Sequence, residues 1–256
     1  MELVACQTPW METGSLLDKS ATNARALLAA AQTGWERPVP HCPEWNAAGL
    51  IRHTGEILVW MAAVVTSRER VSRRALDPAP EDVADLPSWY VANLERTLEV
   101  LGSPEPESQT WTFASSGDRR VAWWIRRLGV EVAIHRWDAE DAVAAEGGPP
   151  PRSLDGDVAA AGVEEFITEF LPGLLAQEAV KGLSDTLHLH ADDQSMGWWI
   201  DLNKGGSSMG EHAKADTTIR GTRSELLLWL TNRCPSDTLE VFGRRENLDL
   251  WAQLRR

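Results

Sequence analysis

Cysteine is scarce in this sequence and follows no regular spacing. The chain has three cysteines, Cys6, Cys42 and Cys234, an odd number scattered over its whole length. A framework of structural disulfides would need more cysteines that the fold could bring together in pairs. We therefore predict that the cysteines are reduced thiols, as in a cytoplasmic protein, and that Cys42 is a buried structural thiol.

Long apolar runs and an excess of positive charge are lacking as well. No run of about 18 apolar residues is present, which predicts that the chain has no transmembrane helix. The first residues also lack the basic and apolar regions of a signal peptide. The formal net charge is -13 and the isoelectric point is about 4.9, whereas nucleic acids and anionic membranes attract a basic surface. We therefore expect no nucleic acid and no membrane among the partners.

The first half of the sequence has strong helical periodicity. The 256 residues, 43% of them hydrophobic, are enough for one large domain or two smaller ones. Apolar residues recur every three or four positions, which predicts amphipathic helices. Helices are predicted at residues 15–32, 44/45–69, 87–101 and 121–143, with Asp118 as the N-cap of the last. Four such helices with connections of medium length indicate a four-helix bundle.

The segment GGPPP, residues 147–151, is the strongest linker signal in the chain. It predicts two domains, residues 1–146 and residues 152–256. The second domain begins with a helical pattern and continues with apolar residues at every second position, which indicates strands. Its predicted helices span residues 154–176, 224–232 and 247–254, and its predicted strands span residues 186–190, 197–202, 215–220 and 239–242. The expected fold class is therefore two-domain α+β, with an N-terminal helical bundle and a small C-terminal α+β domain whose sheet is mostly antiparallel.

Three polar residues fall on or beside the predicted buried faces of the bundle helices. His53 lies within the apolar seam of the second helix, whereas Glu131 and His135 are four residues apart on the fourth, so their side chains can meet. Burying such groups costs free energy unless something pairs with them. Two imidazoles and one carboxylate suit a divalent metal in a catalytic site, where a fourth position stays open. Alternatively, each histidine is a hydrogen-bonded core residue, and the Glu–His pair is an ordinary pair on a solvated helix.

Motifs in both predicted domains resemble one known family. CPEW at residues 42–45 and GLIRHTGEI at residues 49–57 resemble the start of the second helix in the mycothiol-dependent maleylpyruvate isomerase family. RLGVEVAIHRWDAEDA at residues 127–142 resembles its fourth helix, and ADTTIRGTRSELLLWLTNR at residues 215–233 resembles its C-terminal domain. The family belongs to the wider DinB-like four-helix bundles, and its C-terminal domain is related to sterol-carrier-type folds. The chain departs from the family at Glu44, where glycine is frequent, which affects a turn and none of the expected ligands.

The resemblance implies a function and assigns roles to residues. His53, Glu131 and His135 are expected to bind Zn2+, with the thiol of mycothiol at the open position. Coordination deprotonates a thiol, which can then attack an electrophilic carbon of a small substrate. The implied activity is a zinc-dependent, mycothiol-dependent isomerase or thiol S-transferase. Arg233 is expected to be catalytic by binding a substrate carboxylate, with Arg220 a weaker candidate, although Arg233 also fits a plain helix C-terminal cation.

Other functions stay open on the sequence alone. With water instead of a thiol on the metal, the protein would be a metal-dependent hydrolase. Without activity, the two domains would enclose a small hydrophobic ligand and form a binding protein. Fe2+ or another divalent metal suits the same three ligands.

Three further features of the sequence need an interpretation. His188 and His190 share one face of a predicted strand, and an exposed pair is favoured over a metal site there. Asp138 either orients His135 or is a surface carboxylate that pairs with an arginine. The basic segment at residues 68–74 is interpreted as a solvated helix end that complements the helix dipole.

Overall fold

The structure of the chain is a computed structural model with two compact units, which divide between residues 154 and 155. It describes residues 12–175, 185–202, 206–209, 214–245 and 248. The division falls a few residues after the GGPPP segment, because residues 147–154 group with the first unit. The domain bounds 1–146 and 152–256 stay a prediction.

The N-terminal unit is a bundle of four long helices, as the periodicity predicted. The helices are α1, Thr13–Ala31; α2, Ala47–Ser67; α3, Leu86–Gly102; and α4, Val121–Ala145. The most extensive packing joins α1 to α4 and α2 to α3, and α2 also packs against α4. This last contact matters for function because it brings His53 on α2 close to Glu131 and His135 on α4.

Helix α4 is buried on nearly every side, which the sequence pattern did not predict. The periodicity indicated one apolar seam, but Trp124, Arg136 and Asp138, which lie off that seam, are also buried. Helix α4 packs against α1, α2 and α3, and the loop before it covers its first turns, as the contact of Trp111 with Trp124 illustrates. A helix that is covered all round behaves as the central element of a core.

An aromatic cluster covers one end of the bundle. Trp111 and Phe113, from the loop before α4, contact Trp60 of α2 and two neighbouring tryptophans of α4, Trp123 and Trp124, with ring centroids between 4.6 and 6.4 Å apart. The Trp124 indole donates a hydrogen bond to the Trp111 carbonyl at 2.7 Å. The loop therefore covers one end of the bundle.

The predicted cap of α4 is wrong. Arg120, not Asp118, occupies the N-cap position, and it makes no capping bond with its side chain. The Asp118 carboxylate instead accepts hydrogen bonds from the Arg120 backbone N–H at 3.1 Å and from the Arg120 guanidinium at 2.7 Å. The guanidinium offers stronger, charge-assisted bonds than the free N–H groups of the helix.

Helix α2 is long and apolar enough to cross a membrane by length and composition, unlike any other helix of the described residues. Of its most apolar window, 67% lies buried inside the bundle. A core helix passes the same test of composition, so the expected absence of a transmembrane helix stays a prediction.

The C-terminal unit is α+β, and its sheet is mostly antiparallel, which confirms the predicted fold class. Its described strands form a five-stranded sheet in the order β3-β2-β1-β4-β5, in which the β1–β4 pair is parallel and the other pairs are antiparallel. The strands are β1, Thr186–Ala191; β2, Met196–Asp201; β3, Gly206–Met209; β4, Thr217–Gly221; and β5, Glu240–Gly243. The helices are α5, Gly156–Glu165; α6, Leu171–Leu175; and α7, Arg223–Leu230.

Two elements of this unit differ from the prediction. Strand β3, with the sequence GSSM, was missed because it has no alternation of apolar and polar residues. A π-helical turn, Phe166–Phe170, interrupts the single helix predicted at residues 154–176. The helix predicted at residues 247–254 lies outside the described residues, apart from Leu248.

The packing of α2 on α3 gives a test of the bundle. A Cβ atom added at Gly55 would overlap the indole of Trp89 on α3. We expect Gly55→Ala to lower the free energy of unfolding by about 1–3 kcal/mol because of overpacking. Gly14→Ala is the matched control, since nothing lies within 4 Å of the added Cβ. Urea unfolding of both variants measures the effect, and equal midpoints for the two would contradict this packing.

Candidate metal centre

Three side chains from two helices converge in the N-terminal unit. The nearest ligand atoms of His53, Glu131 and His135 all lie within 4.8 Å of one another. Oε1 of Glu131 is 3.3 Å from Nε2 of His53 and 3.4 Å from Nε2 of His135. The two imidazole rings meet edge to face, with centroids 5.2 Å apart. The structure thus brings together the three residues that the sequence singled out, and one carboxylate oxygen lies between two imidazole nitrogens.

The cluster has a buried side and an accessible side. The side chains of Glu131 and His135 are 7% and 9% exposed, whereas that of His53 is 27% exposed. A small molecule can therefore reach the cluster from the side of His53, while the α4 ligands stay shielded from water.

Arg127 supports the charge of the buried carboxylate. It lies one turn before Glu131 on α4, and its guanidinium donates a hydrogen bond to Oε2 of Glu131. Burial alone would raise the pKa of Glu131, but the positive charges of Arg127 and of a protonated His135 hold it well below its usual range. Glu131 is therefore a carboxylate at neutral pH, with Oε2 occupied by Arg127 and Oε1 directed at the histidines.

Asp138 orients the second histidine. Nδ1 of His135 lies 2.9 Å from Oδ2 of Asp138, whose side chain is 0% exposed, so the alternative of a surface carboxylate is wrong. Burial alone would lower the pKa of His135, but Glu131 and Asp138 raise it to about 9. A carboxylate on Nδ1 fixes the ring and leaves Nε2 directed at the cluster, as is usual for histidines that bind metals.

The donor set fits a divalent cation. Two imidazole nitrogens and one carboxylate oxygen are the ligands of many catalytic zinc sites, and Fe2+ accepts the same set. The residues that contact Glu131 and His135 also fit a metal site. Arg127 holds Glu131 and Asp138 holds His135, as residues outside the ligand set commonly do for metal ligands. Among the described residues, these three are the one group of His, Cys, Asp or Glu that could hold a metal ion. Metal binding itself stays a prediction.

Trp45 forms a wall of the cluster that sequence reasoning did not assign. Its ring lies 4.4 Å from the ring of His53 and 6.0 Å from that of His135, measured between centroids. The HCPEW turn holds it there, since the Trp45 N–H donates to the Cys42 carbonyl at 2.8 Å and the Val39 N–H donates to the Trp45 carbonyl at 3.0 Å. The sequence contained a clue to this role of Trp45, because it belongs to the CPEW motif that immediately precedes α2.

Arg233 and Arg220 lie in the C-terminal unit. Arg233 follows the end of α7, and its guanidinium donates a hydrogen bond to the Thr231 carbonyl at 2.7 Å. Arg220 of β4 pairs with Glu240 of β5 at 3.5 Å, and both side chains are largely exposed. These contacts agree with a structural role for each arginine, and the catalytic role expected of Arg233 stays a prediction.

The remaining histidine and cysteine candidates do not form a site. His188 and His190 lie on one face of β1 with ring centroids 5.8 Å apart, but His188 is 5% exposed, so the expectation of an exposed pair is wrong. Strand β1 lies inside the sheet, and its neighbours place Trp199 of β2 and Thr218 of β4 directly beside His188 on the same face. Cys42 and Cys234 are half-buried and form no disulfide with each other, so the expectation that Cys42 is a buried thiol is wrong too.

Removal of a ligand tests the centre. We expect Glu131→Gln and His135→Ala to lose bound metal, because each removes one of three donors. His190→Ala is the matched control, since it removes a histidine that belongs to no cluster of three. Elemental analysis of the purified proteins measures metal per chain. Equal metal in all three variants would show that the metal is bound elsewhere.

Asp138→Asn tests the orienting contact separately. The amide keeps the shape of the side chain but loses the charge that holds Nδ1 of His135. Loss of such an outer partner typically weakens metal binding about 10- to 100-fold. Competition with a chelator measures the affinity. Affinity equal to that of the unsubstituted protein would mean that Asp138 has only a packing role.

Comparison with known proteins supports the family resemblance of the sequence motifs. A family model described as the mycothiol maleylpyruvate isomerase N-terminal domain matches residues 17–140. A second model, the C-terminal domain of the same family, matches residues 157–250. No curated protein sequence matches the chain significantly.

Solved structures share the fold over nearly the whole chain. A crystal structure of a mycothiol-dependent maleylpyruvate isomerase has a TM-score of 0.60 and 13% identity, and the match covers 90% of this chain and 93% of that chain. A histidine-to-alanine mutant of such an isomerase has a TM-score of 0.59 and 12% identity, with the same coverage.

A third comparison concerns the sterol-carrier likeness of the C-terminal unit. A sterol carrier protein 2 like 2 from Aedes aegypti has 15% identity and a TM-score of 0.29, over 37% of this chain and 96% of that chain. This score is too low to establish a shared fold, so the sterol-carrier likeness stays a prediction. The two family models, which together match most of the chain, establish that it belongs to the mycothiol-dependent maleylpyruvate isomerase family, a family of enzymes.

Proposed function

We propose that the protein is a zinc-dependent enzyme that uses mycothiol to isomerise a small electrophile or to form a thioether with it. The observation that carries this proposal is the His53, Glu131 and His135 cluster, with three ligand atoms in reach of one another and one accessible side. A site of three protein ligands leaves room for a fourth ligand from the substrate side. Membership of an isomerase family supports a thiol as that ligand.

Each residue of the centre has a role in this proposal. His53, Glu131 and His135 would hold the metal, which supplies a positive charge that lowers the pKa of a coordinated thiol and fixes its direction. Arg127 keeps Glu131 ionised and turns one of its oxygens toward the histidines. Asp138 holds the His135 ring so that Nε2 can act as a ligand. Trp45 covers the two histidines and limits the access of water.

The proposed chemistry begins with addition of the thiolate to a conjugated double bond. A C–S bond forms, and the π electrons of the double bond move to the conjugated carbonyl oxygen. The carbon–carbon bond, now single, can rotate. Return of the electrons expels the thiolate and restores the double bond in the other geometry, so that no atom is gained or lost. In an S-transferase, a proton is added instead and the thioether is kept.

A thiol-dependent assay tests the proposal. We expect the purified protein with zinc and mycothiol to isomerise maleylpyruvate, or to add mycothiol to a related unsaturated acid. Chelation should lower turnover about 30-fold at pH 7, because a thiol whose pKa has returned to about 8.5 is only about 3% thiolate at that pH. Added Zn2+ should restore turnover. Mass spectrometry detects thioether products and absorbance follows isomerisation.

His53→Ala sharpens this test and His190→Ala is its control. We expect His53→Ala to lose both metal and thiol-dependent turnover, with an unchanged unfolding midpoint. Turnover without any thiol would instead indicate a metal-dependent hydrolase. Full metal occupancy with no activity toward any pair of thiol and electrophile would contradict an enzyme and indicate a binding protein. A visible absorption spectrum separates iron from zinc.

A further inference from the structure

The basic segment after α2, residues 68–74, is exposed at its arginines and folds back along α2. Arg68 ends α2 in the left-handed conformation with φ 60°, which reverses the chain direction. A short 3-10 turn, Arg73–Ala75, follows. The chain carries a net charge of -13, so a group of arginines at one place on its surface stands out electrostatically.

The aromatic cluster holds this segment in place. The Trp60 indole N–H donates a hydrogen bond to the Val71 carbonyl at 2.8 Å. The guanidinium carbon of Arg73 lies 4.7 Å from the centroid of the Trp60 ring, and that of Arg70 lies 5.9 Å from the Trp111 ring. Stacking on an aromatic face fixes the plane of a guanidinium group and leaves its N–H edge available.

The position of Trp60 places Arg73 against the same helix that carries His53, toward the C-terminal end of α2. Trp60 follows His53 by seven residues on α2, and Trp124 precedes Glu131 by seven residues on α4. The two tryptophan rings are in contact, with centroids 5.1 Å apart. Helices α2 and α4 are therefore antiparallel, and the aromatic cluster lies two turns, about 10 Å, along the helix axes from the metal centre. Arg127, on α4, lies between them.

Electrostatic contacts link Arg73 to the centre. Partial burial lowers the pKa of Arg73, the charge of Glu131 raises it, the like charge of Arg127 lowers it, and the charge of Glu56 raises it. Its guanidinium makes no hydrogen bond to any described residue, whereas that of Arg127 is bound to Glu131. The Arg73 guanidinium thus feels the charges of the centre and keeps its N–H donors available for an anion.

We infer that Arg73, stacked on Trp60, binds a carboxylate of the electrophilic substrate and so directs the reactive carbon of that substrate toward the metal centre. This inference rests on the proposed function and adds a residue that positions its substrate, an unsaturated carboxylic acid. The planar fork of an arginine matches the two oxygens of a carboxylate. A carboxylate between Arg73 and Arg127 also offsets the repulsion between the two cations.

Arg73→Gln tests the inference, with Arg74→Gln as the matched control. Both residues are exposed and belong to the same turn, so neither change should prevent folding. Maleate, a small dicarboxylate that serves as the probe, is titrated into the zinc-loaded proteins by calorimetry. We expect Arg73→Gln to bind maleate about 10- to 100-fold more weakly, the range for a lost hydrogen bond to a charged group. Arg74→Gln should bind it as the unsubstituted protein does.

Kinetics with mycothiol give the second readout. The KM of an unsaturated acid should rise by a similar factor in Arg73→Gln, while kcat/KM for its neutral methyl ester stays unchanged. Arg73→Lys should recover part of the affinity, because lysine keeps the charge but lacks the fork.

The outcomes separate this inference from the proposed function. If Arg73→Gln keeps both the maleate affinity and the KM of the acid, Arg73 does not bind the carboxylate, although thiol-dependent turnover stands. If the unsubstituted protein shows no thiol-dependent turnover with any electrophile, the proposed function fails. The calorimetric comparison still decides whether Arg73 holds a carboxylate.

Discussion

The burial of Glu131 is the constraint on which the rest of the centre depends. A carboxylate inside a helical bundle is stable as an anion only if cations or donors surround it. Arg127 provides one partner from the preceding turn of α4, His135 provides another from the following turn, and His53 provides a third from α2. Asp138 then balances the positive charge that His135 would otherwise carry into the core. The ligands are thus held by a chain of alternating charges along one helix.

This chain of charges acts only because the bundle fixes α2 against α4. The absence of a side chain at Gly55 lets α3 approach α2 closely through Trp89, and the apolar faces of α2 set its rotation. That rotation determines where His53 points. The turn at residues 41–45 places Trp45 beside His53. Local backbone geometry and helix packing therefore both determine how a small molecule reaches the cluster.

Much of the fold and the convergence of the three candidate ligands could be predicted from sequence, because both follow from periodicity. Helical spacing placed His53, Glu131 and His135 on or beside core seams, and the structure brings them together. The features that were missed depend on contacts between distant segments. The cap of α4 depends on competition between Arg120 and free N–H groups for Asp118, and the burial of His188 depends on neighbouring strands. The placement of Arg73 over Trp60 depends on the left-handed turn at Arg68, which no spacing rule reveals.

Helix α4 carries two candidate ligands, the arginine that charges one of them and the aspartate that orients the other, all within Arg127 to Asp138. Helical spacing sets the positions of these four groups along one helix. Of the five polar groups of the candidate centre, only His53 comes from another helix. Assembly of the centre therefore depends on a single helix–helix contact, that of α2 with α4, and a change that shifts α2 along α4 would separate His53 from the other four groups together.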